Sequence, residues 1–148
     1  MIIDTQGDLF DSRNKVIGQG CNCVGLMGAG VAKIVRDRHP IAFEKYKRAI
    51  EAGVYVPGYA QFVIDHENDR CIYNLATQNQ PGADAQLNWI FLAVANMFSH
   101  AMANGISHIA IPRIGSGIGG LRWEEVNDQL WEAHDFMDFK GTLEVFYL

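Results

Sequence analysis

Gly18-Gln19-Gly20-Cys21-Asn22-Cys23-Val24-Gly25-Leu26-Met27-Gly28-Ala29-Gly30-Val31-Ala32 is the part of the chain around which everything else is arranged. The apolar pair Val16-Ile17 just before it reads as a buried strand. The run then passes through small residues and closes as a helix beginning near Gly28. A strand, a loop nearly free of side chains and a helix make one unit. Glycine permits positive φ and lets a backbone approach a ligand closely. A helix N-terminus adds unpaired N–H groups and partial positive charge, which suits a phosphate or another anion. The polar side chain in the middle is Asn22, able to offer both a donor and an acceptor. These features describe half of a nucleotide pocket.

Outward from that unit the chain alternates strands and helices. Ile2–Gln6 is expected as an edge strand running into Gly7-Asp8-Leu9-Phe10, and Val16–Cys21 as the second strand. A helix is expected over Gly28–Arg38, with Val31, Ile34 and Val35 inward, stopped by Pro40. Another follows over Ile41–Ala52, with Phe43, Tyr46, Ala49 and Ile50 at helical spacing and Gly53 at its end. Ala60–Ile64 and Cys71–Thr77 read as strands joined by a polar turn. Asp84 is a candidate N-cap for a long helix to Asn104, with Leu87, Phe91, Val94, Phe98 and Met102 inward. His108–Ile111 is a buried strand, Pro112–Gly120 a glycine-rich loop, Trp123–Phe136 the last helix and Thr142–Leu148 a closing strand. The alternation predicts a three-layer α/β/α fold with a mixed, mostly parallel sheet. In such sheets ligands sit beyond the carboxyl ends of the strands, where both glycine-rich loops begin.

Bulk properties set limits. A chain of 148 residues fits one domain over 1–148, and 49% hydrophobic with 20% charged residues excludes disorder. The net charge of −5 argues against a broad polyanion-binding surface, although backbone donors can still hold a diphosphate. The start carries no secretory pattern, and the apolar run around Trp89–Phe98 is interrupted by Asn96 and Ser99 and too short to span a bilayer. Three cysteines without metal spacing suit a reducing cytoplasm, and Cys21-Asn22-Cys23 reads as small buried residues beside a tight loop.

In the second loop, Gly115, Gly117 and Gly120 fit the dinucleotide fingerprint G-x-G-x-x-G. The context does not. After Gly120 there is room for one helix and one strand, and no acidic residue ends a following strand to hold a ribose. A nicotinamide-dependent oxidoreductase is therefore a poor fit. What survives is the chemistry of a small-residue turn, whose backbone N–H groups form an anion nest. Two nests, each after a strand, suit a diphosphate with a sugar at either end.

Gly7-Asp8-Leu9, Cys21-Asn22-Cys23-Val24-Gly25 with Met27-Gly28-Ala29-Gly30-Val31-Ala32, and Pro112 to Leu121 with Trp123 together resemble a macro domain. The likeness is to the small domains that process ADP-ribose-1''-phosphate and to the terminal ADP-ribose glycohydrolase branch, and it spans essentially the whole chain. The resemblance implies an ADP-ribose site. Asp8 would accept a hydrogen bond from the adenine amino group, with Leu9 following. Asn22 would lie near the distal ribose. Gly28, Ala29, Gly30 and Val31 would hold that ribose and the adjacent phosphate. Gly115, Ser116, Gly117 and Ile118, with Gly119, would hold the diphosphate, and Phe146 would pack near the adenine. It implies no cofactor, no metal and a monomer whose partner is ADP-ribose or an ADP-ribosylated substrate.

The departures from the family are as informative. The glycohydrolase branch carries an attacking lysine after the fourth strand, where this chain has Thr77-Gln78. It carries an aspartate in the second loop, where this chain has Gly119, and another hydrolase branch has an aspartate where this chain has Ala32. Two readings stay open. In one, the domain hydrolyses ADP-ribose-1''-phosphate or ester-linked ADP-ribose, with Asn22 positioning a water. In the other, it only binds ADP-ribose. Other candidates take structural roles: His39 as a cap or surface residue, Arg113 paired with Glu124 or Glu125, and Trp123 with Trp131 as a core stripe. Ser116 has no His–Asp partner within reach by sequence.

Overall fold

The computed structural model describes all 148 residues. Strands β1 (Ile2–Gln6), β2 (Val16–Cys21), β3 (Ala60–Asp65), β4 (Arg70–Ala76), β5 (His108–Pro112) and β6 (Thr142–Tyr147) form one sheet. Four helices accompany them: α1 (Gly30–Arg38), α2 (Pro40–Glu51), α3 (Leu87–Ala103) and α4 (Trp123–Met137). The strand order is β1-β6-β5-β2-β4-β3, and every pairing is parallel except β3 with β4. The expected mixed, mostly parallel sheet is therefore the one that forms.

Strand alternation explains the layers. On β5, Ile109 and Ile111 enter the core beneath α3 and α4, while Ala110 faces the opposite cluster with Ile17, Val35 and Ala42. Successive side chains on a strand point to opposite faces, so each central strand feeds both layers. On the α3/α4 side, Ile90, Val94, Met97, Phe98, Val126 and Leu130 are fully buried. Each such side chain contributes about 1.5–3 kcal/mol by leaving water. Phe98 also stacks on Phe139, with ring centroids 4.3 Å apart. No helix is long and apolar enough to cross a membrane.

Several element ends differ from the sequence reading. α1 starts at Gly30 rather than Gly28, because Ala29 is extended and Gly30 has a φ of +57°. Met27-Gly28-Ala29 thus remain loop. α3 starts at Leu87, and its N-cap is Gln86, not Asp84. Its inward face is Ile90, Ala93, Val94, Met97, Phe98 and Ala101; Leu87 and Phe91 are only half-buried and Met102 is exposed. Trp131 is exposed on α4 instead of continuing a core stripe from Trp123. His39 joins α1 to α2, but it is buried and its Nδ1 lies 2.8 Å from Asp65.

β2 and β5 are neighbours through Ile17 and Ala110. Since both run the same way, the loops that follow them leave the sheet side by side on one rim. Neighbouring strands joined to different helices make a switch point, where an open α/β sheet leaves a crevice.

Candidate functional site: a cleft walled by three loops

A cleft of about 480 Å³ opens at that rim. Asn22, Gly28, Ala29, Gly30, Val31, Gly115, Ser116, Ile118 and Gly119 all line it. The two glycine loops meet across it, with Ile118 Cδ1 standing 3.4 Å from where a Cβ on Gly30 would be. Asp8, Leu9, Gly117 and Phe146 do not line it. Asp8 follows β1 on the same rim and caps a short 3-10 turn, its Oδ1 accepting from Phe10 N at 2.9 Å. Leu9 and Phe146 are buried together with Phe10 beneath the rim, and the half-buried aromatic at the end of β6 is Tyr147.

The first loop is organised by one buried side chain from α2. Tyr46 donates its hydroxyl proton toward Asn22 Oδ1 at 2.6 Å, with Asn22 O at 2.9 Å, and accepts from Gly25 N at 3.1 Å. Asn22 Oδ1 also accepts from Val24 N at 3.1 Å, and Asn22 Nδ2 donates to Leu26 O at 2.9 Å. The Asn22 carboxamide oxygen is therefore occupied within its own loop, and only one N–H remains for the cleft. This corrects the expectation that Asn22 offers both a donor and an acceptor. Burial pushes the Cys21 thiol up to about 12 and the Cys23 thiol up to about 11, so both are neutral at physiological pH. Gly20 is required by close packing: a Cβ there would lie 2.8 Å from Thr77 Oγ1.

In the second loop Gly115 has a φ of +74°, and a Cβ on it would come within 2.5 Å of Ile90 Cδ1. The turn therefore depends on glycine for both conformation and space. Ser116 Oγ donates to Arg113 O at 2.9 Å. Arg113 is the one charged residue lining the cleft. It does not pair with Glu124 or Glu125, which lie beside Arg122 at 3.9 and 3.6 Å. Its guanidinium instead sits 5.2 Å from the Trp123 ring centre and 4.6 Å from that of Tyr147. Such cation–π packing holds the group flat without using its N–H donors.

Residues 77–86 form a third wall, of which the sequence reading singles out Thr77-Gln78, as the place of an absent lysine, and not the rest. Thr77, Gln78, Pro81 and Gly82 line the cleft from the end of β4. Asp84 Oδ2 accepts from Asn79 N at 2.9 Å and Gln80 N at 2.8 Å, while Gln78 Nε2 donates to Gln80 O at 2.6 Å and Gly82 O at 2.9 Å. Cys23 N donates to Asn79 O at 3.0 Å, and Ala85 N to Gly119 O at 3.3 Å, so this wall is bonded to both glycine loops. The visible signal was Asn79-Gln80-Pro81-Gly82, a turn sequence after a strand.

Comparison with known proteins agrees with this geometry. A family model described as Macro domain matches residues 19–130. The chain is 31% identical over 136 residues to the DNA ADP-ribosyl glycohydrolase of Mycobacterium tuberculosis, covering 90% of this chain and 38% of that protein. It thus spans less than two-fifths of that relative. It is 27% identical over 143 residues to the human ADP-ribose glycohydrolase OARD1, covering 93% of this chain and 87% of that protein. Among solved structures, the macrodomain of Mycobacterium tuberculosis DarG superposes with a TM-score of 0.86 at 27% identity, over 98% of this chain and 97% of that one.

Proposed function

The chain belongs to the macro domain family, and we propose that its cleft binds ADP-ribose and hydrolyses a derivative carrying a phosphate or an acyl ester on the distal ribose. The observation that carries this reading is the junction of two side-chain-poor loops over one cleft, with Arg113 its only charged lining residue. Main-chain amides can hold a pyrophosphate there without lysines. In this reading Gly28 to Val31 face the distal ribose and its phosphate, Gly115 to Gly119 the diphosphate, and Asp8 the adenine amino group, with Leu9 and Phe146 forming the floor beneath the base. The remaining N–H of Asn22 meets a ribose hydroxyl.

The chemistry is that of a neutral site. Its titratable lining groups are the protonated Cys21 thiol and the Arg113 guanidinium, so neither is a base or a ready proton donor at pH 7. A positioned water and fixed dipoles must supply the acceleration. Such a site serves substrates whose leaving group departs as a stable anion, which phosphate and carboxylate do. Calorimetry with ADP-ribose, ADP, AMP and NAD tests the binding half. Phosphorus NMR of ADP-ribose-1''-phosphate, with a peptide bearing an ester-linked ADP-ribose, tests the chemistry. A second reading, a binding module without turnover, is favoured by the occupied oxygen of Asn22 and by Gln78 in place of an ionisable group. Micromolar ADP-ribose binding with no turnover of either substrate would select it. We further propose that it works as a monomer, and in the cytoplasm; three free thiols support the second of these.

A further inference from the structure

We infer that Gln78 is the residue that orients the attacking water, an inference that rests on the hydrolase reading above. Its Nε2 donates to Gln80 O and to Gly82 O, at 2.6 and 2.9 Å. Two carbonyl oxygens can accept only from an NH₂ group, so the carboxamide has one orientation and both its donors are used. Its Oε1 makes no hydrogen bond within the protein and stands beside Gly119, 3.6 Å from where a Cβ there would be. Both residues line the cleft. The result is a fixed acceptor with free lone pairs, next to a position that has no side chain.

The two carboxamides of the cleft divide the work. A nucleophilic water must give its protons to acceptors so that a lone pair faces the electrophile. Asn22, with its oxygen held by Tyr46 and Val24, can only donate. Gln78 is its complement. Ser116 has committed its proton to Arg113 O, and Thr77 is packed against Gly20, so neither hydroxyl is fixed as an acceptor toward the cleft in the same way. In the step, the water oxygen bonds to the anomeric carbon of the distal ribose, and the bond from that carbon to the leaving oxygen breaks. The electron pair departs on the carboxylate or hydrogen phosphate. One water proton stays in the new hydroxyl and the other passes to bulk water; Gln78 holds neither.

The test measures kcat on ADP-ribose-1''-phosphate and on a peptide with an ester-linked ADP-ribose, alongside the calorimetric Kd for ADP-ribose. Gln78→Met is expected to lower kcat roughly 10- to 100-fold while the Kd stays the same. Gly119→Ser keeps both carbonyl partners of Gln78 and places a hydroxyl against Oε1, with Ala85 Cβ 3.1 Å from the new Cβ giving way, and it is expected to lower kcat likewise. Gln78→Glu keeps an acceptor but turns its second oxygen toward the Gln80 and Gly82 carbonyls, which disfavours the ionised form, so its residual rate is expected to rise with pH above the ordinary carboxylate range near pH 4. Turnover by Gln78→Met or Gly119→Ser at the parent rate overturns the inference and leaves the hydrolase reading standing. A parent protein that binds ADP-ribose and turns over neither substrate overturns both.

Discussion

Tyr46→Phe removes one oxygen atom from a side chain with no solvent exposure, and the structure says what that atom holds. The hydroxyl has one proton, directed at Asn22, and accepts one bond from Gly25 N. Two hydrogen bonds disappear: the half-buried Gly25 N–H loses its partner, and Asn22 Oδ1 keeps only its bonds from within the loop. Net hydrogen bonds are worth about 1 kcal/mol each and an orphaned buried group costs more, so the loss comes to about 2–3 kcal/mol. For a domain of this size that lowers the melting temperature by about 5–10 °C. Because Gly25 has a φ of +88° and Asn22 lines the cleft, the damage falls on the first loop and not on the fold at large. If a bound ligand must restore about 1 kcal/mol of that order, the Kd for ADP-ribose rises about fivefold. Urea and thermal unfolding measure the first quantity and calorimetry the second. A variant that melts within about 1 °C of the parent refutes the energetic argument. One that loses stability yet binds ADP-ribose unchanged refutes the link between this hydroxyl and the site.

Asp8→Asn keeps the oxygen that caps Phe10 N but removes the charge, and it should weaken ADP-ribose by about 1–2 kcal/mol in calorimetry with no change in melting temperature; equal affinity would remove Asp8 from the site. Gly115→Ala forces a Cβ against Ile90 and strains a left-handed residue, and about 1–3 kcal/mol of stability should be lost in urea titrations together with ligand binding. Burial pushes the Asp65 carboxyl up, but hydrogen bonds from His39 and Asn68 outweigh it and hold it below the ordinary carboxylate range. A folded-state pKa lowered in this way stabilises the protein above about pH 4 and loses that contribution as pH falls further. Urea midpoints between pH 2 and pH 6 should therefore drop less steeply for Asp65→Asn than for the parent. In native protein at pH 8, a thiol reagent should leave Cys21 unmodified, since burial holds it protonated, and mass spectrometry after denaturation should recover it.

What the sequence disclosed was local. The loop from Gly18 to Ala32 and the loop from Pro112 to Gly120 each carry their geometry in their own glycines, so both could be placed and related before any coordinates. Contacts decided by strand order were not legible. Arg113 has Glu124 and Glu125 close by in sequence, yet β6 lies against β5, bringing Tyr147 to it instead. His39 has an aspartate two positions before it, but its partner is Asp65, placed there by the end of β3. Asp84 was ambiguous for a different reason: an aspartate before an apolar helix can cap that helix or close a preceding turn, and here it binds Asn79 and Gln80. The resemblance places Phe146 near the adenine, and only the strand's alternation shows how: Phe146 is buried with Leu9 and Phe10, while Tyr147 next to it is half-buried.

The pairing of β1 with β6, from Ile2 with Leu143 to Gln6 with Tyr147, has a kinetic consequence. Of the six strands, β1 comes first in sequence and has no other neighbour in the sheet, so it must wait for β6, the sixth, before it can dock. Contacts between strands this far apart in sequence are slow to close, and the unpaired backbone edge of β1 is open to other chains in the interval. Stopping the chain before Thr142 should therefore strip two strands from the sheet at once, and with β1 goes the anchorage of Asp8.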